Sequence, residues 1–220
     1  MTAQLQVGEL QLLLLAERAL YIEQMAALLV SDVHLGKSET FQHYGIPVSS
    51  QVNLSTLERL RRVCDRIQPQ HLWVLGDLFH GQAGMVDEVI DAWLTFLNDT
   101  QLQAHLILGN HDRPAQGSLS QLSLDCCPQA VAADGVIFSH EPWWGEGLNI
   151  CGHVHPVVRL KGGGDCLRLP CFFWEARQQR LTLPAFGEFT GGYEMPLRPG
   201  TTAFAIAENQ VVPFPGNHRQ

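Results

Sequence analysis

An α/β fold, with two packed sheets and helices outside them, is what this chain predicts, and three observations predict it. Short apolar runs alternate with amphipathic stretches through the first half of the sequence. From Val157 onward the pattern turns to short strand-like segments with few helical signals. Several apolar runs end abruptly in polar clusters, as strands do where they meet a ligand-binding edge.

The elements follow in order. Leu10 to Leu15, a turn near Glu17 and Arg18, and Leu20 to Ile22 read as a hairpin, and Ala27 to Ser31 is a third apolar run. Gly36 to Ser50 reads as a loop, with Gly45 and Pro47 as breakers. Leu54, Leu57, Leu60, Val63, Cys64 and Ile67 recur at spacings of three and four, and Pro69 ends that helix. His71 to Leu75 is a strand. Val86, Val89, Ile90, Trp93, Leu94 and Leu97 mark a second amphipathic helix, and Ala104 to Leu108 another strand. Ser118 to Leu124 suits a short helix. Val136 to Ser139 and Leu148 to Cys151 are strands, as are 167–169, 171–174, 181–183, 202–206 and 210–212.

At 220 residues the chain can bury one sizeable core, so residues 1–220 are expected to form one domain, with chemistry-bearing motifs in 30–155 and strands in 157–213 completing the sheets. Apolar residues make up 45% and charged residues 16%, a globular balance. No apolar run approaches the ~20 residues that span a bilayer, and no signal peptide is visible, which leaves the cytoplasm as the expected compartment. The six cysteines show no C-x-x-C spacing and read as reduced thiols. The formal net charge of -8 disfavours general binding to duplex DNA.

The ten histidines carry more information. Five apolar runs end in Asp32-Val33-His34, Gly76-Asp77, Gly109-Asn110-His111-Asp112, His140 and Gly152-His153-Val154-His155. Ligands bind beyond the carboxyl ends of strands in such sheets, so the five clusters are expected to converge. Carboxylate and imidazole donors without thiolates suit Mn, Fe or Zn. If the D-x-H and H-x-H pairs are extended, each puts its two side chains on one face. Seven ligands serve two ions when one carboxylate bridges. Two ions ~3.5–4 Å apart clamp the attacking and leaving oxygens of a phosphoryl transfer and generate hydroxide from water. Structural zinc sites are usually Cys-rich and closed, so that reading does not fit.

The order of these motifs resembles the calcineurin-like metallophosphoesterases. The resemblance implies a four-layer fold, two mixed sheets flanked by helices. It implies one ion held by Asp32, His34, Asp77 and His155, and another by Asp77, Asn110, His140 and His153. It also implies His111 as leaving-group acid or charge stabiliser, with Asp112 orienting it. Ser31 to Lys37, Gly45 to Val48, Gly76 to Gly81, His140-Glu141-Pro142, Gly152 to Pro156, Arg168 to Phe172 and Leu183 to Gly192 extend it. With these the chain resembles the ligase-associated DNA damage response phosphoesterases over nearly its whole length. That narrower resemblance implies phosphodiester cleavage, manganese dependence, and a DNA repair role beside a DNA ligase, a helicase and a nuclease-like partner.

Lys37 and Arg113 sit one step beyond ligand clusters and are candidates for holding substrate phosphate. His80 is an outer-shell candidate or a turn residue. Trp143-Trp144 suits base stacking, loop packing or a contact between copies in a homo-oligomer. Two other functions stay open on the sequence: a phosphomonoesterase or phosphodiesterase for a small metabolite or nucleotide, and a non-catalytic scaffold. No ligand and no His111 is missing, which speaks against the scaffold.

Overall fold

The structure, a computed structural model, describes residues 2–119, 121–162, 165–188 and 190–216, with backbone alone at 161, 162 and 165. Ser120 of the expected short helix and Phe189 of the Leu183–Gly192 motif lie outside the described residues.

The first sheet holds β1 (Ala3–Val7), β2 (Leu10–Leu14), β3 (Leu20–Ile22), β4 (Ala27–Val30), β5 (His71–Val74), β6 (Gln103–Ile107) and β7 (Asp125–Cys127), in that spatial order. The β1–β4 part is antiparallel and the β4–β7 part parallel. The parallel half needs crossovers, and helices supply two of them. The segment from β4 to β5 contains α1 (Lys37–His43) and α2 (Gln51–Ile67), and that from β5 to β6 contains α3 (Asp87–Thr100). The short α4 (Gln116–Leu119) precedes β7.

The second sheet holds β8 (Val131–Ala133), β9 (Val136–Ser139), β10 (Leu148–Cys151), β11 (Pro156–Gly162), β12 (Asp165–Glu175), β13 (Arg180–Thr182), β14 (Tyr193–Glu194), β15 (Thr201–Ala207) and β16 (Gln210–Pro215). Its order is β14-β11-β12-β13-β10-β9-β8, with β15 also paired to β12 and β16 to β15. It too is mixed: β9, β10 and β13 run parallel, while β12 pairs antiparallel with β13 and β15.

Alternation along each strand divides the core. Leu28 and Val30 of β4, Leu72 and Val74 of β5, and Leu106 of β6 face Leu57, Leu60 and Val63 of α2 and Val89, Trp93 and Phe96 of α3. Ala27, Leu29 and Ile107 face Val136, Phe138, Ile150, Phe172 and Leu181 of the second sheet. Both faces of β4 are therefore covered, which is why all four of its residues are buried. The outer face of the second sheet, with Val158, Cys171 and Phe173, is closed by Met195, Leu197 and Phe214. No helix among the described residues is long and apolar enough to cross a membrane.

Two local expectations are corrected. The segment expected as a loop from Gly36 contains α1, whose chain turns in at Gly36 (φ 76°). Its side chains give no apolar stripe for the sequence to display. The expected helix at Ser118–Leu124 lies earlier, at Gln116–Leu119.

Candidate metal centre

The parallel strand ends β4, β5, β6, β9 and β10 deliver their polar clusters to one place. The Asp32–Leu35 backbone runs beside Gly76–Leu78, with Asp32 N donating to Gly76 O (3.0 Å), His34 N to Asp77 O (2.9 Å) and Leu35 N to Leu78 O (2.8 Å). The D-x-H and H-x-H pairs are not extended, as alternation would have it. Asp32, His34, Asp77, His153 and His155 all have left-handed backbone, with φ between 50° and 65°. Sharp turns, not pleating, aim these side chains.

Glycines make the approach close. A Cβ on Gly76 would lie 2.0 Å from His140 Nδ1, and one on Gly109 would lie 2.0 Å from Asp77 Oδ1. Any other residue there would displace a site side chain.

The groups divide by depth. Asp32, Asp77, His34 and His140 are buried at the base, and His111, His155, Asn110 and His153 stand at a more open rim. His155 Nε2 lies 3.0 Å from Asp32 Oδ1, and Asp77 Oδ2 lies 3.9 Å from His34 Nε2 and 3.7 Å from His140 Nε2. His140 Nε2 is 3.0 Å from Asn110 Oδ1 and 3.0 Å from His153 Nδ1. Ligand-capable atoms of Asp32, His34 and His155 lie within 4.8 Å of one another, and so do those of Asp32, Asp77 and His140.

Backbone carbonyls set the tautomers. A carbonyl only accepts, so His140 Nδ1 donates to Leu75 O (2.9 Å) and His155 Nδ1 to Gly191 O (3.1 Å). Each ring then turns its Nε2 lone pair toward the centre, the orientation in which imidazole binds a metal. Burial pushes His34 down to about 2, which keeps it neutral. Burial opposes the charge on Asp32, yet His155, His140 and Ser31 Oγ hold its carboxyl below the usual range. Burial also lowers His155, and the Asp32 contact outweighs it and raises the imidazole. Burial pushes Asp77 up.

These residues fit divalent ions. The His140 Nε2 lone pair lies 3.0 Å from the acceptor Asn110 Oδ1, with His153 Nδ1 also 3.0 Å away, and Asp32 Oδ1 is buried without a well-aligned hydrogen bond. Converging acceptors of this kind are what a cation satisfies, and the oxygen and imidazole donors suit Mn, Fe or Zn.

His111 and Asp112 do not form the expected pair. The Asp112 carboxylate accepts the backbone N–H groups of Asp77 (2.7 Å), Gly109 (3.1 Å) and Phe79 (3.1 Å). Three backbone donors occupy it, so it anchors two motif loops, while burial pushes it up to about 6. His111 Nδ1 is held instead by His80 O (3.1 Å), and its backbone N–H donates to Asp77 Oδ1 (2.9 Å). The His80 ring stacks on His111 at 4.8 Å, and its Nδ1 lies 3.3 Å from His34 Nδ1. His80 thus belongs to the site, and its spacing three residues after Asp77 was the visible signal. Ser31, which donates to Asp32 Oδ2, was missed, because a serine at a strand end looks like turn chemistry.

Lys37 lies near His34 and His80, and its Nζ stands 6.0 Å from the Phe41 ring. Arg113 is exposed and shares a cavity of about 200 Å³ with His140 and Trp143. Trp144 projects into solvent at 83% exposure, with the Arg180 guanidinium 5.0 Å from its ring.

A carboxylate–imidazole centre at the strand ends of two packed mixed sheets defines a metal-dependent hydrolase of phosphoester bonds. Residues 25–183 match the family described as calcineurin-like phosphoesterase, and the chain belongs to that family. Among solved structures it is similar to one titled as the Pseudomonas putida nuclease MPE, with 31% identity, TM-score 0.85, and 97% of this chain and 100% of that one covered. The phosphoesterase Yfce of E. coli is more remote, with 15% identity, TM-score 0.46, and 87% and 99% covered. No curated protein matches.

Proposed function

We propose that this chain is a dinuclear, manganese-dependent phosphodiesterase that cleaves DNA. The observation that carries the reading is the position of Asp77 Oδ2, 3.9 Å from His34 Nε2 on one side and 3.7 Å from His140 Nε2 on the other. One carboxylate oxygen faces both ligand groups, as a bridging ligand must. One ion would then be held by Asp32, His34, Asp77 and His155, and the other by Asp77, Asn110, His140 and His153. When bound, the two ions supply Lewis-acid charge to the phosphoryl oxygens and activate water for attack.

The chain's own residues do the rest. Leu75 O and Gly191 O keep His140 and His155 in ligating tautomers. With Nδ1 committed to His80 O, His111 is left with Nε2 to hold a proton and pass it to the leaving oxygen. Asp112 acts by positioning the loops that carry Asp77 and Asn110. Lys37 and Arg113 bind substrate phosphate at the rim.

The DNA substrate is supported by the similarity to the Pseudomonas putida nuclease. In this reading the chain serves DNA repair in company with a DNA ligase, a helicase and a nuclease-like protein. Six unpaired cysteines, two of them exposed, suit the reducing cytoplasm. The net charge of -8 favours a second reading, a phosphomonoesterase or phosphodiesterase for a small metabolite or nucleotide.

The test is hydrolysis by metal-stripped protein refilled with Mn, on bis-p-nitrophenyl phosphate, p-nitrophenyl phosphate, single-stranded DNA and supercoiled plasmid. Cleavage of the diester and of DNA is expected. Turnover of small esters with all DNA intact would replace this reading with the second.

A further inference from the structure

We infer that a groove lined by five arginines, leading away from the candidate metal centre past His155, seats the sugar-phosphate backbone of single-stranded DNA. The inference deepens the nuclease reading and rests on it.

Two adjoining cavities make the groove. The first, about 170 Å³, opens beside His155 and is walled by Arg168, Gly191 and Gly192. The second, about 650 Å³, is lined by Arg59, Arg62 and Arg66. Arg18 and Pro170 line both, so the two share a wall. One end of the path is a ligand-capable imidazole and the other is a face of α2.

The charge is concentrated against the trend of the chain. The protein carries 14 Lys and Arg against 22 Asp and Glu. Arg18, Arg59, Arg62, Arg66 and Arg168 gather on this one path, with Glu17 and Glu208 as the carboxylates that line it. Glu17 is matched by Arg66 at 2.8 Å. Arg62 is exposed, and its guanidinium has no ion pair or hydrogen bond among the described residues. Arg18, at the join, is partly buried, and its hydrogen bonds among the described residues are long carbonyl contacts, 3.5 Å to Ala185 O and 3.4 Å to Gly187 O. Arg59 is fixed by Glu188 and Phe186 O and lies 4.5 Å from the Phe186 ring, with its Nε buried and unpartnered. Arg62 thus offers its whole guanidinium and Arg18 the part not spent on long contacts, while Arg59 is held in the wall by Glu188 and adds its fixed position; planar guanidinium forks of this kind recognise phosphate.

Spacing selects a chain of phosphates over one anion. Arg59, Arg62 and Arg66 stand at i, i+3 and i+7 of α2, one stripe that runs ~10 Å along the helix. A lone phosphate reaches one end of that stripe, whereas a strand reaches both and continues past Arg18 and Arg168. At about 170 Å³ the first cavity is too small to enclose a duplex, which favours a single strand. Basic grooves that track the backbone are how strands are held without sequence preference.

The test compares substrates of different reach on the Mn-loaded enzyme, using Arg62→Ala, Arg62→Glu and Arg62→Ala/Arg66→Ala. None of these residues is placed in the metal centre. We expect kcat/KM on bis-p-nitrophenyl phosphate within about twofold of the parent for all three. On a fluorescent 20-nucleotide oligo-dT, kcat/KM should fall about tenfold for the double variant and for Arg62→Glu, chiefly through KM. The salt dependence should flatten by ~0.7 in log–log slope per lost phosphate contact. Arg62→Ala alone, at an exposed position, keeps the comparison if the double variant fails to fold. Unchanged oligo-dT cleavage in Arg62→Glu, or equal loss on both substrates, would overturn the groove while leaving the nuclease reading intact. If the parent enzyme hydrolyses the diester but no DNA, the nuclease reading fails by itself. The groove is then read from oligo-dT binding by fluorescence anisotropy: binding lost in the variants sustains it, and no binding by the parent ends it.

Discussion

The Asp112 carboxylate accepts the backbone N–H of Asp77 at 2.7 Å, so the acid of one motif fixes the main chain beneath the carboxylate of another. With Gly109 and Phe79 as its other two donors, it ties the ends of β5 and β6 together. Asp112→Asn replaces one oxygen by an amide that meets N–H groups donor to donor. The expected loss is ~2–3 kcal/mol of stability, seen as a fall in Tm of roughly 5–10 °C by differential scanning fluorimetry. An unchanged Tm would mean that the three backbone bonds contribute little.

Asp77→Asn should weaken both metal positions together. The same oxygen faces His34 and His140, so neutralising it removes charge from each group. Calorimetric titration of metal-stripped protein with Mn should show two sites in the parent and none of comparable affinity in the variant. Two sites retained at parental affinity would refute the bridge.

His111→Ala should keep both ions and lose activity according to the leaving group. A proton supplied by His111, as proposed, would matter most for alkoxide departure, where the expected loss is ~10²–10⁴-fold. Activated aryl esters need little protonation and should lose less. Equal losses on a nucleotide diester and on bis-p-nitrophenyl phosphate would remove the acid role.

The cysteines should separate sharply by reactivity. Burial pushes the Cys64 and Cys171 thiols up to about 12, and thiolate is the reactive form. At pH 8, native protein should react fastest with a disulfide reagent at exposed Cys166 and more slowly at Cys126 and Cys127, whose thiols burial pushes up. Peptide mapping after alkylation checks this. Labelling of Cys64 in the folded state would show that α2 opens readily.

Much of this architecture was legible because burial writes periodicity into sequence. Strands β4, β5, β6, β9 and β10 showed as apolar runs that stop at polar clusters, and α2 and α3 as repeats of three and four. The metal-capable residues were legible for the same reason, since the strand ends that deliver them are themselves visible. β1 escaped because its residues alternate between half-buried and exposed, which leaves no strong apolar signal. The roles of Leu75 O, Gly191 O and His80 O were illegible in principle, because every residue has a carbonyl and only the fold says which one meets an imidazole. The partner of Asp112 was misjudged from adjacency. Neighbours in sequence at a tight turn point apart, and the carboxylate found backbone donors 33 and 35 residues away.

The left-handed backbone at Asp32, His34, Asp77, His153 and His155 carries a consequence for how this protein can change. Each such conformation costs a side-chain-bearing residue on the order of 1 kcal/mol that glycine would not incur. The centre is therefore a standing debt against thermal endurance, concentrated in the positions proposed to hold the ions. Selection for heat resistance alone, blind to catalysis, would press first on exposed His153, where glycine relieves the backbone without stripping a carboxylate from buried N–H groups, and would trade the centre for sturdiness.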